Sequence, residues 1–372
     1  MRRTLKGCLL IHILIVFLLS GCIEKTMDAS PKHNPTDKSE NESIVNLPVK
    51  SLPIDPGAFE KVYGWIDAKT IIYSYVEEEM YIVATHHLFN GDSKVVFTSP
   101  TPIVNVIIHP SQEKLLIHTS PYTHGAKIFI TDLLGEITFS TEIDSYELAI
   151  EWDPKDSSQM FITAFFEDWT YDIHHLNLNN KEMTKVPHLH PFMKWMNHSV
   201  IEQRWKDNDG AFFAPLWKTS VDVDSHSELI KDTVFRFDVF SDYLMAIIVP
   251  ENNKQVFEYQ FFDFSMERKA ILEMPNIMQY SDWLIPNYDY NVVENRFITI
   301  APKNHGSLDN YNNGFKMIEL DLHENTKRVL MEDIENKPFT CTPDGELCLY
   351  GFQLEELLNL KTKKIEKLVT DS

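Results

Sequence analysis

The chain has 372 residues, with 55 Asp and Glu against 34 Lys and Arg, and a formal net charge of −21. So acidic a surface repels phosphate backbones and anionic lipid, and with no basic cluster or RNA-binding signature it excludes nucleic acid as a partner. A cationic partner, a divalent ion or a neutral glycan remains open.

The first 21 residues read as an export signal. Arg2, Arg3 and Lys6 give a positive start, Cys8 to Leu19 a largely apolar run, and Ser20-Gly21 two small residues before Cys22. The run is short of the ~20 apolar residues that span a bilayer. The border Leu19-Ser20-Gly21-Cys22 resembles a bacterial lipobox. That resemblance implies lipid on the Cys22 sulfur, cleavage before it, and a second acylation on its new amine. Loss of Arg2, Arg3 and Lys6 with the signal takes the charge of the mature chain to −24. Several acyl chains at ~0.8 kcal/mol per buried methylene anchor a protein stably, where a single chain does not. The expected location is the outer face of the cell membrane, with the membrane as a partner through this lipid.

Residues 22–56 are rich in Lys, Glu, Asp, Asn, Ser and Pro with almost no aromatic residues, the composition of a flexible tether. From 57 to 372 the chain carries few helical periodicities and many short runs of Ile, Val, Phe, Tyr and Leu between turn residues. Two hairpin signatures alternate. One enters a turn and leaves in a hydrophobic strand, as in "YGWIDAKTIIYSY", "IEWDPKDSSQMFITA" and "FTCTPDGELCLYG"; the other is strand, tight turn, strand, as in "FITDLLGEITF" and "ELDLHENTKRVL". Each pair makes a four-stranded antiparallel unit. Starts fall at about Val62, Ile103, Leu148, Phe192, Val234, Trp283 and Pro338, seven units at the spacing of a propeller blade. The fold expected is therefore all-β, a β-propeller, with aromatic rings filling the wedges between sheets.

The lipobox, the polar tether and the degenerate "W-x-x-x-x-x-I-I-Y" and "L-x-L-x-x-x-x-K" hairpins resemble the YqgU-like propeller lipoproteins of Gram-positive bacteria. The likeness covers essentially the whole mature chain and implies six blades, against the seven units counted. It brings no catalytic residues to transfer.

In a meander the connections alternate between two ends of the sheet, and here the longer, richer ones gather at one end. These are "SPYTHGA", "FFEDWTY", "KDNDGAF", "PKNHGSLDNYNNG" and, between units, "PHLHP". Tyr122, Trp169 and Tyr311, with Asn304, Asn310 and Asn313, are the residues expected to recognise a ligand, because amphipathic rings and amides suit glycans and peptides alike. His188 and His190 flank Leu189 in an extended segment and join that rim; no third ligand accompanies them, so no metal or cofactor is expected. The pairs His86-His87 and His174-His175 sit on strands, where neighbours face opposite ways, so one of each pair is expected to be packing. "DNDG" (Asp207 to Gly210) and "DVDSHSE" (Asp222 to Glu228) lack the full pattern of a calcium loop. In "CTPDGELC" a turn at Asp344-Gly345 places Cys341 opposite Cys348, which leaves open a disulfide or two small half-buried strand residues.

No G-x-S-x-G, H-E-x-x-H, P-loop or G-x-G-x-x-G motif is present. The leading expectation is a lipid-anchored, non-catalytic propeller whose rim binds an envelope polymer or a partner protein. The alternative is a glycan-active hydrolase or lyase with acids and bases from several blades gathered in the central channel.

Overall fold

A computed structural model describes residues 47–205, 212–221, 226–240, 242–280 and 282–369. Seven four-stranded antiparallel sheets follow one another along the chain, each in simple meander order: blade 1 (59–99), blade 2 (103–144), blade 3 (147–185), blade 4 (194–234), blade 5 (236–275), blade 6 (288–334) and blade 7 (339–367). The seven hairpin pairs expected from sequence correspond to these blades. The sixth starts at Tyr288 rather than Trp283. Trp283 belongs instead to a small three-stranded sheet of Ile277–Gln279, Asp282–Leu284 and Gly306–Ser307, whose first and third strands run parallel.

The second strand of a blade is buried on both faces, which its near-continuous apolar run requires. Thus Ile71, Ile72, Leu115, Leu116, Ile117, Val200, Ile201 and Leu349 are fully buried, while outermost strands such as Lys364–Lys367 are exposed throughout. Alternation divides each strand between its two neighbours. In Lys114–Tyr122, Leu116 packs toward blade 3 whereas Leu115 and Ile117 pack toward blade 1.

Every blade draws its four strands from one contiguous segment, so the ring closes by contacts between blades and not by a shared sheet. The recurring ring at the end of the first strand supplies several of these latches. Trp65 Nε1 donates to Thr340 O at 2.9 Å, joining blade 1 to blade 7, and Trp195 Nε1 donates to Glu151 O at 3.1 Å, joining blade 4 to blade 3. His109 Nε2 donates to Asp153 O at 2.8 Å between blades 2 and 3. Between blades 1 and 2 the contact is steric. A Cβ on Gly64, at φ +150°, would stand 3.2 Å from Ile108 Cδ1, so a side chain there would crowd the blade 2 packing as well as strain the backbone.

Lys50 and Leu52, in the stretch expected as tether, are fastened to the propeller. Lys50 N donates to Leu88 O at 2.7 Å and Leu52 N to Leu368 O at 2.8 Å, and Leu52 is buried. The signal segment, Cys22 and the tether up to residue 46 lie outside the described residues. Cys341 and Cys348 are direct cross-strand partners in blade 7 and are joined by a disulfide.

Candidate functional site

Strand direction places the second-to-third-strand connections and the between-blade connections at one end of the ring. Eight Phe, Tyr and Trp side chains are exposed among the described residues, and all eight stand at this end. Tyr122, Trp169, Tyr171, Trp205 and Phe352 lie in or beside second-to-third connections; Tyr146, Phe192 and Tyr280 lie between blades. Among the described residues, the large hydrophobic side chains exposed at the opposite end are aliphatic, such as Leu134, Val292 and Val293.

Three of these rings are held outward against backbone preference. Trp169 and Tyr280, each 88% exposed, and Phe192, 60% exposed, have φ of +65°, +52° and +61°. Bulky residues in the left-handed region cost on the order of 1–2 kcal/mol apiece. At Trp169 the turn is fixed by Asp168, whose Oδ1 accepts from Thr170 N at 3.1 Å and Thr170 Oγ1 at 2.6 Å. Those bonds to the ionised form hold the Asp168 carboxyl below its ordinary value. Phe192 stacks on Phe165 with centroids 5.2 Å apart.

Two adjoining cavities open between blades 2 and 3. The outer, about 530 Å³, is walled by His124, Asp144, Ser145, Tyr146 and the 166–170 turn. The inner, about 460 Å³, reaches down to the first strands of blades 1, 2 and 3 and includes Lys61, Asn105, His118, Ser120, Thr123, Ser145, Tyr146 and Glu147. Tyr146 and Ser145 border both. The Tyr146 ring leans on His124 with centroids 4.2 Å apart, and partial desolvation together with the Glu167 carboxylate raises its pKa. His118 is 8% exposed; burial lowers its pKa, so the imidazole is neutral at pH 7.

The sequence-derived residues divide around the ring. The Tyr122 ring lies against Gly125, a lining residue of the inner cavity, and Trp169 falls between Asp168 and Thr170, which line the outer one. Asn304, Asn310 and Asn313 are exposed on blade 6, at the same end but across the ring. Tyr311 has a structural task there. Its hydroxyl donates to Gly314 O at 2.8 Å and accepts from Lys303 N at 2.9 Å and Asn304 N at 3.3 Å, which ties the 303–314 loop shut. His188 and His190 are likewise not a pair on an open loop. Leu189 between them is buried; His190 N donates to the fully buried Glu202 carboxylate at 2.7 Å; and His188 Nε2 is enclosed without a partner. Glu202 in turn accepts from Arg204 and from Thr219 Oγ1. Of the paired histidines, His86 is buried and bonded to Ser93 and Lys50, and His175 packs on Phe161 and Trp195. Asp207 to Gly210 and residues 222–225 lie outside the described residues.

Along the channel wall a polar chain crosses four blades. Lys194 Nζ stands 3.2 Å from Glu151 and 3.6 Å from Asp238, and Tyr288 Oη donates to Asp238 at 2.8 Å. Burial raises the Glu151 pKa. Burial opposes the Lys194 charge, but Asp238 and Glu151 together outweigh it and raise its pKa. The carboxylate of Asp289, also raised by burial, accepts from Cys341 N at 2.6 Å. Among the described residues no three His, Cys, Asp or Glu side chains gather closely enough to hold a metal ion.

Sequence reasoning missed Tyr146, Phe192, His118 and His124. For the first two, the available signal was a lone aromatic residue between units; for His118 there was none, since "LLIHTS" reads as strand packing.

The class is thus a β-propeller with an aromatic, loop-bearing end. Residues 87–351 match the YqgU-like 6-bladed beta propeller domain, and the chain belongs to that family. The matched segment holds blades 2 to 6 whole and parts of blades 1 and 7; the family description counts six blades, and this chain has seven four-stranded sheets. It is 23% identical over 367 residues to the "Uncharacterized lipoprotein YqgU" of Bacillus subtilis (strain 168), covering 98% of this chain and 97% of that one. The crystal structure of the uncharacterized protein lmo1340 from Listeria monocytogenes EGD-e superposes with a TM-score of 0.79 at 19% identity, covering 87% of this chain and 98% of the other. The propeller domain of the Trilobed protease from Pyrococcus furiosus, described as having an open velcro topology, gives 0.53 at 10% identity over 85% and 98% of the two chains. These two likenesses concern the fold.

Proposed function

We propose that this protein is a propeller held on the outer face of the cell membrane by lipid on Cys22, and that its aromatic end is a non-catalytic binding surface for an envelope polymer. The observation that carries the reading is the segregation of all eight aromatic side chains exposed among the described residues to one end, three of them in strained backbone. Strain at exposed, bulky residues persists where function keeps it. The lipobox and the lipoprotein relative support the anchor.

A channel enzyme keeps one observation in its favour. Glu151 has a raised pKa, as a general acid needs. Yet Glu151 and Asp238 share the Lys194 ammonium, and Asp289 accepts from the Cys341 backbone of blade 7, so the acids are engaged by the protein's own donors.

The test uses the full-length protein in detergent, incubated with insoluble envelope glycan. Retention in the pellet is expected for the wild type and a loss of at least tenfold for Trp169→Ala/Phe192→Ala. Equal retention by the double variant overturns the surface; release of soluble sugar over time replaces binding with catalysis. Unchanged detergent partitioning of Cys22→Ala overturns the anchor.

A further inference from the structure

We propose that the inner cavity between blades 2 and 3 is a saccharide subsite, built to take one uncharged, polyhydroxylated ring with His118 at its floor. The inference rests on the binding reading above and narrows its ligand to neutral glycan.

The cavity is constructed from parity. Asn105 and His118 are direct cross-strand partners in blade 2, and Leu116, His118 and Ser120 share the strand face that looks toward blade 3. Opposite them, Leu148 and Ile150 come from the face of the first strand of blade 3 that looks back. His118 is over nine-tenths buried, borders the cavity, and makes no side-chain hydrogen bond among the described residues. Its ring nitrogens are not among the enclosed, unpartnered atoms, so they open onto the cavity, where a ligand hydroxyl can take the place of water. A neutral imidazole offers one donor and one acceptor, the pair that a sugar hydroxyl satisfies.

The remaining lining fits the same ligand. The Asn105 amide and the hydroxyls of Ser120, Thr123 and Ser145 supply polar groups, with apolar Val104, Leu148 and Ile150 between them. Lys61 and Glu147 balance in charge. At about 460 Å³ the volume falls within the ~300–1,000 Å³ of small-molecule sites. Tyr146 gives a ring face at the passage to the outer cavity. That outer cavity carries Asp144, Glu167 and Asp168 with no Lys or Arg, so an anionic chain leaving the inner site meets repulsion and an uncharged one does not.

The experiment titrates the full-length protein in detergent with triacetylchitotriose, cellotriose and maltotriose, with trigalacturonate as the anionic control, following the His118 imidazole resonance by NMR. At least one neutral trisaccharide is expected to shift that resonance saturably, and trigalacturonate to leave it unmoved. Asn105→Leu and His118→Phe, with thermal unfolding measured alongside, are expected to weaken that binding at least tenfold; Asn105→Leu alters a partly exposed residue and serves if His118→Phe fails to fold. No shift with any neutral sugar, a shift with trigalacturonate alone, or undiminished binding by folded Asn105→Leu overturns the subsite. Trp169 and Phe192 do not line this cavity, so the two readings fail separately. Loss of glycan retention by the rim variant with no sugar effect at His118 removes the subsite alone, and sugar binding with retention independent of the rim removes the aromatic surface alone.

Discussion

Aromatic rings fill the wedge between blades 5 and 6, whereas aliphatic side chains, with Trp152, fill most of the wedge between blades 2 and 3. Between blades 5 and 6, Phe235 stacks on Phe257 at 5.6 Å and Phe240 on Tyr290 at 4.6 Å, and Phe297 is enclosed by Tyr259, Phe261 and Tyr288. The connections above are locked by the extra three-stranded sheet and by Tyr311. Between blades 2 and 3 the buried wedge is mostly aliphatic, with Leu116, Ile128, Ile130, Met160 and Ile162, and the rings have moved to the rim beside two open cavities. One wall of the ring is thus packed for rigidity and another is left concave. A scaffold that must present a surface without deforming benefits from that division.

The strongest way to break the comparison is at the packed wall. Phe297→Ala removes a fully buried ring from the centre of the aromatic cluster and should cost about 3–5 kcal/mol, read by urea unfolding. A cost near 1 kcal/mol would mean that the cluster collapses around the gap, and that the rigidity assigned to this wall is wrong.

A smaller effect is expected where the two walls are tied together through the channel. Lys194 retains 37% side-chain exposure, so Lys194→Met should cost nearer ~1–2 kcal/mol than the larger penalty of breaking a fully buried pair. The pH dependence has a definite sign. With its raised pKa, Lys194 contributes its full stability below the ordinary lysine value of about 10.4 and loses it as pH climbs through the raised value. Tyr288, raised by burial and then by Asp238, acts in the same sense above pH ~10. In the variant, Glu151 loses its countercharge and takes up a proton more readily, so its deficit against the wild type should narrow as pH falls toward the carboxylate range. A deficit that stays constant from pH 7 down to that range would remove the ion pair as its cause.

Much of the packed architecture was legible in the sequence because it is local. A blade is two hairpins, and each announces itself through turn residues between β-branched and aromatic runs, as at "WDPKDSSQMF" or "CTPDGELC". The extra sheet was not legible. Its parallel pair joins Ile277 to Gly306 across a whole strand pair, and no turn signal marks so distant a contact. Tyr311 misled for the same reason: its ring looks free in sequence, while its hydroxyl is claimed by Lys303, Asn304 and Gly314 only once the loop has closed. Both cavities depend on which strand face meets the next blade, so His118 and Tyr146 acquire meaning only when blades 2 and 3 are placed side by side.

The smallest effect sharpens the comparison most. Replacing Trp169 by glycine relieves a left-handed backbone that costs on the order of 1–2 kcal/mol in a bulky residue, while glycine's greater freedom in the unfolded chain returns ~0.5–1 kcal/mol of that gain. The ring is 88% exposed, so little packing is lost. Trp169→Gly should therefore leave thermal stability unchanged or raise it by up to ~1 kcal/mol, and a matching change at Phe192 should do less, because that ring also stacks on Phe165. A surface kept for binding is one where stability improves as retention of glycan falls. If Trp169→Gly instead destabilised the fold by more than ~1 kcal/mol, the exposed ring would be holding the blade together, and the division between a packed wall and a presenting wall would lose its clearest marker.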